Sequence, residues 1–148
     1  MSAVALSGVA SARTVLGAHA ARGRATVALR NTRLGKVLVN GSGYTLYLFT
    51  RDRRDKDSCA SVKPCFGIWP PDISRGKPRA GAGVKASLLG TIALKGGARQ
   101  VTYAGQPLYG YVGDMAPGSI DYGGTHQFGG RWYPVNAAGH LVKPLPVY

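Results

Sequence analysis

An internal repeat limits the folds open to this chain more than any other feature. Tyr47-Leu48-Phe49-Thr50-Arg51-Asp52 matches Tyr109-Gly110-Tyr111-Val112-Gly113-Asp114. Each copy follows a Leu-Gly-x-[Val/Ile] segment, Leu34 to Val37 or Leu89 to Ile92, and precedes a loop that closes on a tryptophan, Trp69 or Trp132. Two copies are too few for a solenoid, where three or more are usual. Two half-units sharing one core account for both the repeat and the length of 148 residues, which suits one domain.

The half-units read as β structure. The 22 Gly and 9 Pro call for many turns, and Val, Thr, Tyr, Leu and Ile recur between them. Ala25 to Leu29 and Leu34 to Val39 are predicted strands, and Asn40-Gly41-Ser42-Gly43 supplies turn residues. Tyr44 to Phe49 is expected to pair back, with Tyr44, Leu46 and Leu48 on one face and Thr45, Tyr47 and Phe49 on the other. Large apolar groups on both faces predict cover on both sides. Further strands are expected at Leu88–Leu94, Arg99–Tyr103, Leu108–Val112, Arg131–Val135 and His140–Lys143. The expected fold is all-β, a compact antiparallel, sandwich-like single domain of two diverged β-repeats. Repeat one covers about 25–71 and repeat two about 84–148. Residues 72–83, rich in Gly, Pro and bases, read as an exposed linker.

Charge sets the class of partner. The chain has 19 Lys and Arg against six acids, all of them Asp, for a net charge of +13. Attraction to polyanions follows at low salt, without specificity. No stretch approaches the roughly 18–20 apolar residues of a membrane span. Residues 1–24 show no sustained period and are expected to be mobile. Ala10-Ser11-Ala12 and Ala18-His19-Ala20 resemble cleavage sites, but no positive stretch precedes the apolar part. An export-signal remnant, a disordered arm and a mitochondrial-type or artefactual start all stay open there.

Several motifs in a fixed order carry a family resemblance. Leu34 to Val39, Tyr44 to Phe49 with Asp52, the Cys pair and Trp69-Pro70-Pro71 form a first half. Ser87 to Gly90, Val101 to Tyr103, Pro107 to Tyr111, Asp114 and Phe128 to Tyr133 form a second. This pattern resembles the bacterial "secreted repeat of unknown function" family, predicted exported proteins and lipoproteins with a Tyr-x-[Phe/Trp/Tyr]-x-x-Asp motif. It covers about Ala25 to Gly139. The resemblance implies export and a fold, and no activity; it marks Trp69 and Trp132 as family-type aromatics. One departure is the cysteine spacing, since Cys59 and Cys65 stand farther apart than is usual in the family. No Cys precedes Cys59, so lipid attachment at the N-terminus has no support in the sequence.

Each candidate chemistry has a plainer alternative. Tyr47, Phe49, Tyr109 and Tyr111, edged by Asp52 and Asp114, could make a ligand-stacking surface. The plainer reading is cross-strand packing, with each Asp accepting backbone N–H bonds at a strand end. Cys59 and Cys65 lack Cys-x-x-Cys spacing, and in an exported chain a structural disulfide is the simplest outcome; a labile redox pair and free thiols or ligands are the alternatives. His126, His140 and Asp121 lack the short spacings of metal sites. No Gly-x-Ser-x-Gly and no paired carboxylates nominate a catalytic residue. Arg51, Arg53 and Arg54, beside aromatic strands, are candidate anion-binding residues, although a solvated basic surface is the simpler explanation and no nucleic-acid-binding motif accompanies them.

The expected protein is therefore an extracytoplasmic, non-enzymatic monomer without cofactor. It would bind anionic envelope polymers or lipid head groups through a basic surface, and no specific nucleic acid. The alternative is an accessory in extracytoplasmic redox or metal chemistry, using the Cys pair, Met115 and the histidines.

Overall fold

A computed structural model of the chain describes residues 23–146. The expectations for an export signal or mobile arm fall mainly on residues 1–22, outside the described residues. Gly23 and Arg24 are held: the Gly23 carbonyl accepts from Arg75 N at 3.0 Å and Arg24 Nε donates to the Lys77 carbonyl.

The alternating runs become short strands, and the protein is an all-β single domain. β1 (Thr26–Thr32) and β2 (Gly35–Asn40) form an antiparallel hairpin. Gly35 has φ +97°, a conformation other residues reach only with strain. β3 (Tyr47–Phe49) follows, then a single turn of helix, α1 (Cys65–Ile68), and β4 (Arg79–Ala80). In the second half come β5 (Leu89–Ala93), β6 (Arg99–Tyr103), β7 (Gln106–Pro107), β8 (Thr125–Gln127) and β9 (Gly130–Pro134). They make three small sheets, ordered β2-β1-β4, β3-β9-β8 and β5-β6-β7. All pairings are antiparallel except the two-residue parallel pairing of β4 with β1.

Three expectations about the strands and the chain path need correction. The run from Tyr44 pairs back on β2 only at its start, through the Val39–Thr45 bridge and Leu46 N to Leu38 O at 3.0 Å. It then crosses to the second repeat, where β3 pairs with β9 and Tyr47 bridges Tyr109. Residues 72–83 are no free linker either. Ile73 bridges Gln100, Ser74 is buried beneath the Ala25 N–H, and β4 adds an edge to β1. Backbone donors and acceptors left unpaired under a fold are costly, which is why this Gly- and Pro-rich stretch takes sheet partners from both halves. The expected last strand at 140–143 is reduced to a Val135–Leu141 bridge.

The two faces of β3 feed two cores. Leu46 and Leu48 enter an aliphatic core with Val27, Leu38, Leu89, Val101, Leu108 and Val135. Tyr47 and Phe49, pointing the opposite way, enter an aromatic core with Trp69, Tyr109, Trp132 and the two cysteines. This follows from the period of two along a strand, and it explains why the run is apolar on both faces.

Candidate functional site

The motif tyrosines meet where the repeats meet. Tyr47 and Tyr109 exchange both backbone bonds, Tyr47 N to Tyr109 O at 2.8 Å and Tyr109 N to Tyr47 O at 2.9 Å. Their hydroxyls then cross over. Tyr47 Oη donates to Asp114 Oδ2 at 2.8 Å, and Tyr109 Oη donates to Asp52 Oδ2 at 2.7 Å. Each repeat's tyrosine thus holds the other repeat's aspartate.

The rings around this lock follow the same symmetry. Phe49, Trp132, Trp69 and Tyr111 form a continuous pile, with successive centroids 3.9, 4.2 and 4.2 Å apart. Tyr47 meets Trp69 edge-on at 5.3 Å, and Tyr109 meets Trp132 edge-on at 4.9 Å. Exchanging Tyr47 with Tyr109, Phe49 with Tyr111, Trp69 with Trp132 and Asp52 with Asp114 maps each of these contacts onto one of similar geometry, so the two motifs are related by an approximate local two-fold. Offset and edge-on aromatic pairs contribute about 0.5–1.5 kcal/mol each beyond the area they bury. Gln127 serves both indoles, its Oε1 accepting from Trp69 Nε1 at 2.8 Å and its carbonyl from Trp132 Nε1 at 3.0 Å. The disulfide Cys59–Cys65 and α1 close one end of this core.

Solvent does not reach Tyr47, Phe49, Tyr109, Trp69 or Trp132, so these rings offer no ligand-stacking surface. Tyr111 is half-buried, lying between Trp69 and Tyr122. The expectation that both aspartates accept backbone N–H bonds needs correction. Asp52 Oδ1 does accept from Ser58 N at 2.7 Å, but each carboxylate's bond to the opposite repeat is to a tyrosine hydroxyl, and Asp114 Oδ1 has no partner. The reason lies in the fold: the carboxylates sit under the opposite repeat, where the hydroxyls are the donors at hand. Burial raises the Asp52 pKa to about 6, against the opposing pull of Ser58 N–H and the Tyr109 hydroxyl. Burial likewise raises Asp114, opposed by the Tyr47 hydroxyl. Both tyrosines are raised by burial and then by the neighbouring carboxylate.

The remaining aspartates leave the surface cations largely uncompensated. Asp72 is half-buried, but its Oδ2 is sealed from solvent without a partner, and the desolvation raises its pKa to about 7. Asp57 Oδ1 caps Ala60 N at 2.8 Å, and Asp55 sits at a turn with φ +55°. Among the described residues one ion pair forms, Arg33 with Asp121 at 3.2 Å.

Loops after the two motif aspartates each form a cleft. The first, of about 260 Å³, is lined by Arg51, Arg53, Lys56, Asp57, Ser58 and Ser61. The second, of about 390 Å³, involves Arg33 and residues from Gly113 to Tyr122, with Met115 86% exposed. Of the three candidate anion-binding arginines, Arg51 and Arg53 reach the first cleft and Arg54 does not. Arg54 lies over Gly105 and donates weakly to the Ala104 carbonyl at 3.4 Å. Lys56 takes its place, brought opposite Arg53 by a backbone bridge that runs of charge in the sequence do not reveal. Asp121 is engaged by Arg33, and among the described residues no group of three His, Cys, Asp or Glu side chains lies close enough to hold a metal.

No curated protein and no solved structure matches the chain. A family model described as "secreted repeat of unknown function" matches residues 28–71 and 90–136, one stretch for each half of the two-fold arrangement. More than half of the chain is covered, both copies of the motif included, and the chain belongs to this family of secreted repeats.

Proposed function

We propose that this protein is a non-catalytic, monomeric module of the cell envelope that engages anionic polymers or lipid head groups through its basic surface. One observation carries the reading: most of the acids that would neutralise the surface are engaged within the fold. Asp52 and Asp114 serve tyrosine hydroxyls, Asp72 has one oxygen sealed from solvent, and only Asp121 pairs with a cation among the described residues. A chain of net charge +13 that engages most of its few carboxylates in contacts within the fold presents an excess of guanidinium and ammonium groups outside. The aromatic motif is then the frame that holds the two loops, and loops on a rigid frame are where binding residues concentrate.

The test is co-sedimentation of the full chain with phosphatidylglycerol vesicles, and retention on an immobilised polyol-phosphate polymer, at 50 and 150 mM salt. Phosphatidylcholine and a neutral polysaccharide are the controls. The reading expects binding to persist at 150 mM, where charges are screened beyond about 8 Å. Binding confined to 50 mM salt would reduce it to generic attraction and refute the envelope role.

A further inference from the structure

The clefts occupy corresponding positions in the two repeats, each opening just after the motif aspartate. Their chemistry has diverged. The residue following the aspartate is Arg53 in one repeat and Met115 in the other. The Met115 cleft holds one cation, Arg33, and Asp121 neutralises it. The Arg53 cleft holds three cations, and none of them forms an ion pair among the described residues. Its one carboxylate, Asp57, also lines the cleft, but its oxygens are engaged or hidden: Oδ1 accepts from Ala60 N, and Oδ2 is sealed from solvent.

The backbone places these cations together. Arg53 N donates to Lys56 O at 3.3 Å and Lys56 N donates to Arg53 O at 3.0 Å, so two like charges stand opposite each other across a tight turn. Like charges in that relation oppose folding. Arg51 is fixed by its Nη1 bond to the Phe128 carbonyl at 3.0 Å, and its other guanidinium donors have no partner among the described residues. Ser58 and Ser61 are small polar walls whose hydroxyls bond to the Arg51 and Ser58 carbonyls at 3.1 and 3.2 Å. Asp52 anchors the base of the loop, held by the Tyr109 hydroxyl and by Ser58 N.

From this placement we infer that the Arg51–Arg53–Lys56 cleft is a phosphoryl-binding site, taking a phosphate monoester or diester of a polyol or a phospholipid head group. Three unpaired cations around one small cleft match a group with several charged oxygens better than a carboxylate with two. The inference deepens the polyanion reading above and rests on it.

The experiment is an amide ¹H–¹⁵N titration of the full chain at constant ionic strength of about 150 mM. The probes are inorganic phosphate, glycerol 3-phosphate and, as the carboxylate control, acetate. The expected result is saturable shifts confined to residues 51–61 with the two phosphates, at least tenfold weaker with acetate. Arg53→Ala/Lys56→Ala should weaken phosphate binding at least tenfold, and Arg54→Ala less than twofold. Both variants alter exposed side chains, and an unchanged amide spectrum elsewhere shows that they fold. Vesicles of phosphatidylglycerol distinguish the sources: binding tighter per phosphate than to glycerol 3-phosphate, and lost in Arg53→Ala/Lys56→Ala, assigns the site to lipid. Equal binding assigns it to soluble or polymeric phosphate esters. Shifts spread over the surface, equal weakening by Arg54→Ala, or acetate binding as tightly as phosphate would overturn the site. Should Arg53→Ala/Lys56→Ala still bind anionic vesicles like wild type at 150 mM salt, the site falls and the polyanion reading stands. If wild type binds no phosphate probe and no anionic vesicle, both fall.

Discussion

Tyr47→Phe removes one oxygen and tests the lock between the repeats. The ring stays against Trp69, so packing is retained and the loss is the bond to Asp114. Asp114 is 8% exposed, and its Oδ1 already lacks a partner, so the variant leaves both oxygens unsatisfied. A hydrogen bond to a charged acceptor contributes about 1.5–3 kcal/mol, and the upper half of that range is expected here. Tyr109→Phe should cost less, near the lower end, because Asp52 keeps the Ser58 N–H at 2.7 Å. Asp114→Ala strands the Tyr47 hydroxyl instead, at about 1–3 kcal/mol. The double variant Tyr47→Phe/Asp114→Ala leaves neither group unpaired, so its cost should fall below the sum of the singles by at least about 1.5 kcal/mol. Urea unfolding of wild type and the three cycle members at pH 7.5 measures this. Repeating it at pH 4 adds a second check. Burial raises the Asp114 pKa, so its carboxyl is more protonated at pH 4 than an ordinary aspartate, and the Tyr47→Phe penalty should shrink there. Additivity within about 0.5 kcal/mol at pH 7.5, or a penalty equal at both pH values, would refute the lock.

Three further outcomes are expected. Asp72 binds its proton more tightly folded, about 7, than the ordinary 3.8, so its contribution is full below about pH 4 and is lost as pH rises through 7. Asp72→Asn should therefore match wild type near pH 4 and exceed it at pH 8 by on the order of 1–4 kcal/mol in urea unfolding; a variant less stable at pH 8 would contradict this. Protein from an oxidising compartment should show no alkylation at Cys59 or Cys65 before reduction, and Cys59→Ala/Cys65→Ala should cost about 2 kcal/mol in the same assay. Gln127→Ala should leave the Trp69 N–H unpaired and cost about 1–3 kcal/mol, with a shift in tryptophan emission; no change in either would mean that water replaces the amide without loss.

Much of the architecture was legible in the sequence because it is local. The repeated Leu-Gly-x-[Val/Ile] and Tyr-x-aromatic-x-x-Asp segments announced two half-units, and alternation along Tyr44–Phe49 announced a strand covered on both faces. The Gly-rich turns and the surplus of Lys and Arg were likewise visible without coordinates. Partners were not, since they depend on the path of the chain. Nothing in the spacing of Tyr47 and Asp52 says that each serves the other repeat, through bonds spanning 67 and 57 residues. Residues 72–83 look like a linker by composition, yet the edges of two sheets lie beside them and their backbone must pair. Gln127 carries no motif, and its role comes only from two indoles stacked against each other. Lys56 stands where Arg54 was expected because the chain reverses at Arg54-Asp55: Arg54 sits in the turn and lies over Gly105, while Lys56 returns opposite Arg53 and lines the cleft. Residue types and periods determined which segments form strands and what charge they carry. Tertiary structure decided which buried acid meets which hydroxyl and which cations are left free, because those pairings are set by the two-fold meeting of the repeats.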